Sequence, residues 1–361
     1  MFVYWGLIGF FLIVALYPRN NLDSKNSSKK LFAFFAFFIL IMMAGLRSEE
    51  VGTDTTHYAS FFRIVTRSTS WNSLTDSGYE LGFVVLMKVI SLFSSEASVM
   101  IFVTSTIVVC LYGRFIMKSS TDIYMSFALF VLFGFYTNSF NIMRQHIAIG
   151  ICLNGLLFLN KPDLGKAKSI FLFVASVFLA GQFHTSAWVF LVALLSPFSK
   201  KFPIVILLEG LAALVLFLFK DEIAFAVSTW FGYEGYLVSY AQRASYLDFV
   251  VYAAIFALIF LFLSVMEKKK EVFHSIEMEF HMLCIAMVIM TITLSEYGLI
   301  VRMADYFKPV IIVILPRLFQ EIKQKDKIIA ICMVCVVGCL FYGWSLYVNN
   351  GEIVPYISVF N

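Results

Sequence analysis

Charge is scarce along these 361 residues: 14% are Asp, Glu, Lys or Arg, against 61% hydrophobic residues and a mean hydropathy of +0.87. That shortage excludes a soluble globular chain and makes this an integral membrane protein, with no soluble domain to be cut from it. A disulfide framework is missing too, because all six cysteines (Cys110, Cys152, Cys284, Cys332, Cys335, Cys339) lie inside apolar runs. Cys332, Cys335 and Cys339 share one helical face, but a metal needs ligands converging from several directions; packing is the better reading and no metal or other cofactor is expected. No internal repeat is visible. The first run, Met1 to Tyr17, lacks a basic n-region and a small-residue cleavage site, so it reads as an uncleaved first helix. Polar groups at the bilayer midplane, which a transport path would need, are few; Glu209 is the clearest buried charge.

What is there is a recurrence of apolar runs of spanning or near-spanning length, separated by short polar stretches. Orientation follows from the basic residues between them. Arg19, Lys25, Lys29 and Lys30 mark the first connection as cytoplasmic. The same logic places Arg114 and Lys118, Lys161 to Lys168, Lys200 and Lys201, Lys268 to Lys270, and Arg317 to Lys327 inside. The remaining basic residues, Arg47, Arg63, Arg67, Lys88, Arg144, Lys220, Arg243, Arg302 and Lys308, fall at or near the outer face, provided one segment does not span. That segment, Leu81 to Ser95, carries Lys88 in its middle and is short, so a re-entrant or interfacial helix is the cheaper reading.

The expected fold is therefore all-α: a single polytopic membrane domain over residues 1–361, with about twelve crossings and both termini outside. The crossings fall near 2–17, 31–46, 97–116, 123–137, 144–160, 169–183, 186–199, 203–219, 248–266, 278–295, 306–320 and 328–348. Outer-face loops 47–96 and 220–247 are expected to cover the active site.

The asymmetry is one of residue type as well as place. Lysines hold the inside, while six of nine arginines face out, and arginine is the residue that grips phosphate bidentately. In the first outer connection, Gly52 permits a tight turn, and Thr53 or Asp54 can cap a helix whose Tyr58, Phe61, Phe62 and Val65 recur at i, i+3, i+4, i+7. Such a helix would lie in the interface, with Arg63 and Arg67 contacting headgroups. Asp54 reads either as that cap or as a site residue. Arg144 opens a span from the outer side, where it is either a functional cation or a snorkelling one. His184, in Gln182-Phe183-His184-Thr185-Ser186, reads as hydrogen-bonded structure or as a base. The second large outer connection interleaves Tyr233, Glu234, Tyr236 and Tyr240 with Arg243; such aromatics either belt the interface or stack on sugar rings. Arg302 and Asp305 can pair across one helical turn.

Taken in order, Arg47 with Gly52-Thr53-Asp54 and Tyr58, Tyr79-Glu80 with Gly82-Phe83, Arg144-Gln145, His184-Thr185-Ser186, and Arg302 ahead of Tyr306-Phe307 and Pro309 resemble the EpsG-like branch of the Wzy polysaccharide polymerases. The similarity spans most of the chain. It implies a metal-independent glycosyltransferase in the bacterial inner (cytoplasmic) membrane, with its active site facing the periplasm or cell exterior. The reaction implied joins undecaprenyl-pyrophosphate-linked oligosaccharide repeat units, donor and acceptor, into O-antigen, capsule or exopolysaccharide. The lipid bilayer is the obligatory partner, a chain-length regulator protein is a further candidate partner, and no nucleic acid is expected.

On that reading Arg144 and Arg302 are the first choices to clamp the leaving pyrophosphate, with Arg47 and Arg243 next. His184 and Asp54 are candidate bases, Glu80 is a catalytic carboxylate or an arginine orienter, and Tyr233, Glu234, Tyr236 and Tyr240 line the sugar path. Three other readings stay open. A transferase using a polyprenyl-monophosphate sugar would put an acidic pair in the first outer loop, as Glu49-Glu50 does. A lipid-linked oligosaccharide flippase or exporter would need polar groups at mid-bilayer. An O-acetyltransferase would rest on His184 alone.

Overall fold

The computed structural model describes residues 1–16, 26–159, 161–201, 208, 211–212, 214–231, 246–265, 269–290, 302–349 and 351–360. Among these, every regular element is helical, and the one isolated bridge pairs Arg47 with Ser358. The chain divides into two compact units: Met1–Thr185 with Ile328–Asn361, and Ser186–Lys327.

In the first unit α1 (Phe2–Leu16), α2 (Asn26–Gly45), α6 (Ala97–Ser119), α7 (Ile123–Leu132), α9 (Met143–Leu159) and α10 (Lys166–Gly181) are the apolar rods. Three helices, Ser27–Gly45, Ala97–Ser119 and Asp326–Val348, are by themselves long and apolar enough to cross a membrane. The packing is close because small residues sit where backbones meet. A methyl built on Gly150 of α9 would lie 2.7 Å from Leu111 of α6, and one on Gly155 would lie 2.9 Å from Ser176 of α10. One expected crossing is interrupted: Gly134, in the left-handed region at φ 74°, ends α7 and starts the short α8 (Phe135–Asn138), so 123–137 is a broken rod.

Between α2 and α6 lie three shorter helices: α3 (Thr55–Arg67), α4 (Trp71–Thr75) and α5 (Leu81–Ser91). The apolar stripe expected for α3 is real, since Tyr58, Phe61, Phe62 and Val65 are all buried, in a cluster shared with Phe83, Val84 and Met87 of α5. At 11 residues α5 is about 16 Å long, roughly half the hydrocarbon thickness, so it cannot cross. Its Lys88 does not face lipid with its charge; the ammonium donates to the Val65 and Ser68 carbonyls at 3.3 and 3.1 Å, closing the C-terminal end of α3.

The ends of these rods gather at one face of the first unit. After the last helix, which runs Gln324–Val348, the chain folds back along residues 46–53. Ser48 N–H donates to Ile357 O at 2.8 Å, Val359 N–H to Leu46 O at 2.9 Å, and Gly52 N–H to Glu352 O at 3.1 Å. Tyr4, at the start of α1, donates its hydroxyl to Ile353 O at 2.6 Å. Both chain ends therefore lie beside the Arg47 connection.

In the second unit, residues Thr185–Lys201 wind as a 3-10 helix across the expected 186–199 crossing, Thr185 itself lying in the first unit. The unit continues through α11 (Lys220–Phe231), α12 (Tyr246–Val265), α13 (Lys269–Met290) and α14 (Ile311–Glu321). Helix α13 begins inside the basic run, earlier than the expected 278, since lysine and glutamate are good helix formers. Its Glu279 is buried and meets Arg317 of α14 at 3.4 Å, a pair that the spacing of charges in sequence did not reveal.

Candidate active site

The first outer connection is shaped by Gly52, which sits at φ 108° with Thr55, Asn141 and Phe140 within 3 Å of where a methyl would be. The turn it makes delivers Thr55 N–H to Gly52 O at 3.0 Å and starts α3. Asp54 occupies the N-cap position of α3, but its side chain makes no capping bond. Of the two roles open to it, capping is thus the one the geometry withholds, and the half-buried carboxylate stands near Tyr58 of the first turn.

Arg144, the second residue of α9, meets Glu80, the N-cap of α5, in a short ion pair. The two side chains are 20% and 13% exposed, so the pair is mostly buried but still reachable. Glu80 is held from its other oxygen as well: Oε1 accepts from the Thr185 backbone N–H at 3.0 Å and its hydroxyl at 3.3 Å. With both oxygens engaged, Glu80 fits the orienting role rather than that of a proton acceptor. The guanidinium of Arg144 also lies over aromatic faces, 4.7 Å from the Tyr79 ring centre and 5.8 Å from those of Tyr58 and Phe83. Tyr58 interacts with Arg144 through its hydroxyl, and burial pushes that hydroxyl's pKa up to about 12. It stays a neutral phenol at physiological pH. One donor of Arg144 remains unspent: its Nε is buried without a hydrogen-bond partner, an arrangement that costs roughly 1–3 kcal/mol.

Gly82 explains how Glu80 reaches the 182–185 turn. A methyl there would lie 2.7 Å from Gln182 O and 3.0 Å from its carbonyl carbon, and Phe83 N–H donates to that same oxygen at 3.3 Å. His184, half-buried, lies next to Thr185 and donates its backbone N–H to Ala180 O at 3.0 Å. Asp54, Glu80, Arg144 and His184, far apart in sequence, are therefore all carried by the α3, α5, α9 and α10 ends of one unit. The positive ends of α5 and α9 lie at the same place and favour an anion there.

Arg47 has a different place from the one expected. It is fully buried, stacks over Phe140 at 4.6 Å, and donates to Ser105 Oγ at 2.8 Å, to Phe140 O at 3.3 Å and to Ala44 O. Burial lowers its pKa, to about 10, which leaves it charged at neutral pH. Arg47 ties α2, α6 and the 139–142 turn together rather than presenting a clamp, because its Nη donors are consumed by the protein. Arg63 likewise pairs with Glu49 across the connection.

In the second unit Arg302 is exposed at the head of a short 3-10 turn, Arg302–Tyr306. Asp305 pairs with Lys308 at 2.7 Å. The buried Lys308 also lies 4.0 Å from Asp248 and 5.3 Å from the Tyr252 ring centre. Sequence marked Lys308 only as one of the basic residues expected at the outer face, and Asp248, at the edge of an apolar run, did not stand out. Ser186 donates to the Tyr306 hydroxyl at 3.2 Å. Arg243, Tyr233, Glu234, Tyr236 and Tyr240 lie outside the described residues. Among the described residues no group of three His, Cys, Asp or Glu side chains is assembled to hold a metal, and all six cysteines are free thiols.

The chain is thus an all-helical protein of membrane type that brings an arginine–carboxylate pair, tyrosines and a histidine to the ends of its helices. The chain matches the EpsG family over residues 30–358 and belongs to it. No curated protein and no solved structure shows a significant match. The matched stretch takes in the charged pair, its tyrosines and nearly all of the C-terminal fold-back.

Proposed function

We propose that this protein polymerises lipid-linked oligosaccharide repeat units at the outer face of the bacterial cytoplasmic membrane, with polyprenyl pyrophosphate as the leaving group. Family membership supports the coarse class, a polysaccharide-polymerase-type function. The observation that carries the finer reading is Arg144: a guanidinium oriented by Glu80 and by the Tyr79 ring, with part of its side chain still exposed.

In the reaction a hydroxyl oxygen of the incoming unit attacks the anomeric carbon of the growing glycan, and the bond from that carbon to the pyrophosphate oxygen breaks. Negative charge gathers on the pyrophosphate. Arg144 meets it, because a planar fork already locked in position stabilises the developing charge without reorganising. The hydroxyl's proton passes to a nearby base, for which Asp54 and His184 are the candidates in this unit. Arg302 in the second unit and Arg243 are further candidate phosphate ligands, and Tyr233, Glu234, Tyr236 and Tyr240 candidate sugar contacts. No step calls on a metal.

The test is a polymerisation ladder from purified protein and a lipid-linked repeat unit, run with and without chelator. Removing a preorganised donor of this kind typically costs about 3 kcal/mol of barrier, a few hundred-fold in rate. Arg144→Ala should lose that much. Arg144→Lys should fail nearly as badly, since an ammonium cannot pair with Glu80, lie flat over Tyr79 and still present a fork. A lysine variant that builds polymer at the normal rate overturns the clamp. Loss of the ladder in chelator overturns the metal-independent chemistry.

A further inference from the structure

Helix α5 presents two apolar faces, and only one of them is covered. Phe83, Val84, Met87 and Ile90 are buried against the neighbouring helices, and Lys88 fastens α5 to the end of α3. The opposite stripe, Leu81, Val85, Val89, Leu92 and Phe93, is 50%, 41%, 46%, 74% and 85% exposed. Leu81, Val85 and Val89 recur at intervals of four along one side of the helix, and Leu92 and Phe93 continue the exposed apolar surface just past its end at Ser91.

Other exposed apolar residues, such as Val336 and Leu340, belong to a helix long enough to span, which bulk lipid covers along its length. The α5 stripe differs in two ways. Its helix does not cross, and the stripe starts at Leu81, one residue after the carboxylate that pairs with Arg144. A charged anchor at one end and an apolar track leading away from it match an amphiphile with an anionic head and a long hydrocarbon tail.

We infer that the outer stripe of α5 is the seat of the polyprenyl chain of the lipid-linked substrate, with the phosphate end held at Arg144. This rests on the pyrophosphate-donor reading and adds to it the residues that measure the lipid. The tail lies along a rigidly held helix, so its first isoprene units gain contact as the head reaches the guanidinium. Carriers whose chain runs the full length of this track are thereby selected, by apolar contact, over those too short to fill it.

Two measurements test it. Purified protein in nanodiscs is given the same pyrophosphate-linked repeat unit on a long and on a short prenyl chain. The wild type should prefer the long chain, and Val85→Ser with Val89→Ser should cut that preference about ten-fold through KM, leaving kcat and the short-chain reaction unchanged. Val336→Ser with Leu340→Ser, on the spanning helix, should leave the preference intact. Separately, a photoactivatable polyprenyl pyrophosphate carrying no sugar should crosslink to peptides containing residues 81–93, and Arg144→Ala should abolish the crosslink; this readout does not require polymerisation. A stripe variant that folds, by thermal unfolding, and keeps the full chain-length preference overturns the inference. So does a loss shared equally by the spanning-helix variant, or a crosslink that avoids α5. If the wild type extends neither substrate while the crosslink maps to α5, the polymerase reading fails and the lipid seat stands.

Discussion

At the scale of the residue, two arginines that look alike in sequence do different work. Arg47 and Arg144 both follow an apolar or amide-rich stretch at an outer boundary, and nothing local separates them. Burial does: Arg47 is fully closed in and its Nη donors go to Ser105 Oγ and the backbone oxygens of Ala44 and Phe140, while the Arg144 side chain, paired with Glu80, keeps 20% of its surface exposed. Arg47→Met should therefore act on stability, leaving each abandoned acceptor at a cost of roughly 1–3 kcal/mol. Thermal unfolding in detergent should show a marked drop, while the donor KM of the protein that remains folded stays at the wild-type value. A raised KM without loss of stability would return Arg47 to the clamp.

At the scale of the element, the α5 start and the α10 end form a joint that depends on one missing methyl. Gly82 brings Gln182 O close enough to accept from Phe83, and the same approach puts Glu80 within reach of Thr185. Gly82→Ala drives a carbon to 2.7 Å from a backbone oxygen, so the helix start must move; overpacking of this kind costs about 1–3 kcal/mol. The expected outcome is a fall in polymerisation larger than the shift in thermal stability explains, because Glu80 no longer orients Arg144. Equal activity to wild type would show that the joint is not needed.

The C-terminal fold-back is a second such joint. Gly351, at φ 79°, sits where a methyl would fall 1.8 Å from the Asn141 side chain, and its carbonyl accepts from Thr53 N–H at 3.0 Å. Gly351→Val should release the 46–53 connection, seen as faster proteolysis between Arg47 and Asp54, with activity lost alongside. Unchanged proteolysis would show that the rest of the tail suffices.

Helix α3 was legible beforehand, because a 3.6-residue apolar period survives whatever packs against it: Tyr58, Phe61, Phe62 and Val65 are buried as the spacing required. The role of Lys88 was only half legible. Its presence marked α5 as a segment that does not cross, but the carbonyls it closes belong to another helix, and no sequence spacing names them.

At the scale of the whole molecule, the placing of both termini beside the Arg47 connection follows from hydrogen bonds of Tyr4, Ser48 and Gly52 to the C-terminal stretch. Which membrane face this is can be read in cells. With the native cysteines replaced, an impermeant thiol reagent should label Thr75→Cys in intact cells and leave Lys166→Cys unlabelled until the membrane is opened. The reverse pattern would place the charged pair in the cytoplasm and remove the polymerase reading with it.

Composition and the recurrence of apolar runs settled, without coordinates, that this is a helical membrane protein, and the split of lysine and arginine between connections led to the expectation that its arginines gather toward one face. Those properties are sums and periods along the chain, and each segment carries its own share of them. The ordered set of motifs also led to the EpsG family. Only tertiary structure decided which arginine is open to a ligand, that Glu80 has both oxygens spoken for, and that Asp54 does not cap its helix. Each of these depends on what a side chain meets from a segment far away in sequence, and for Arg144 that partner lies 64 residues earlier.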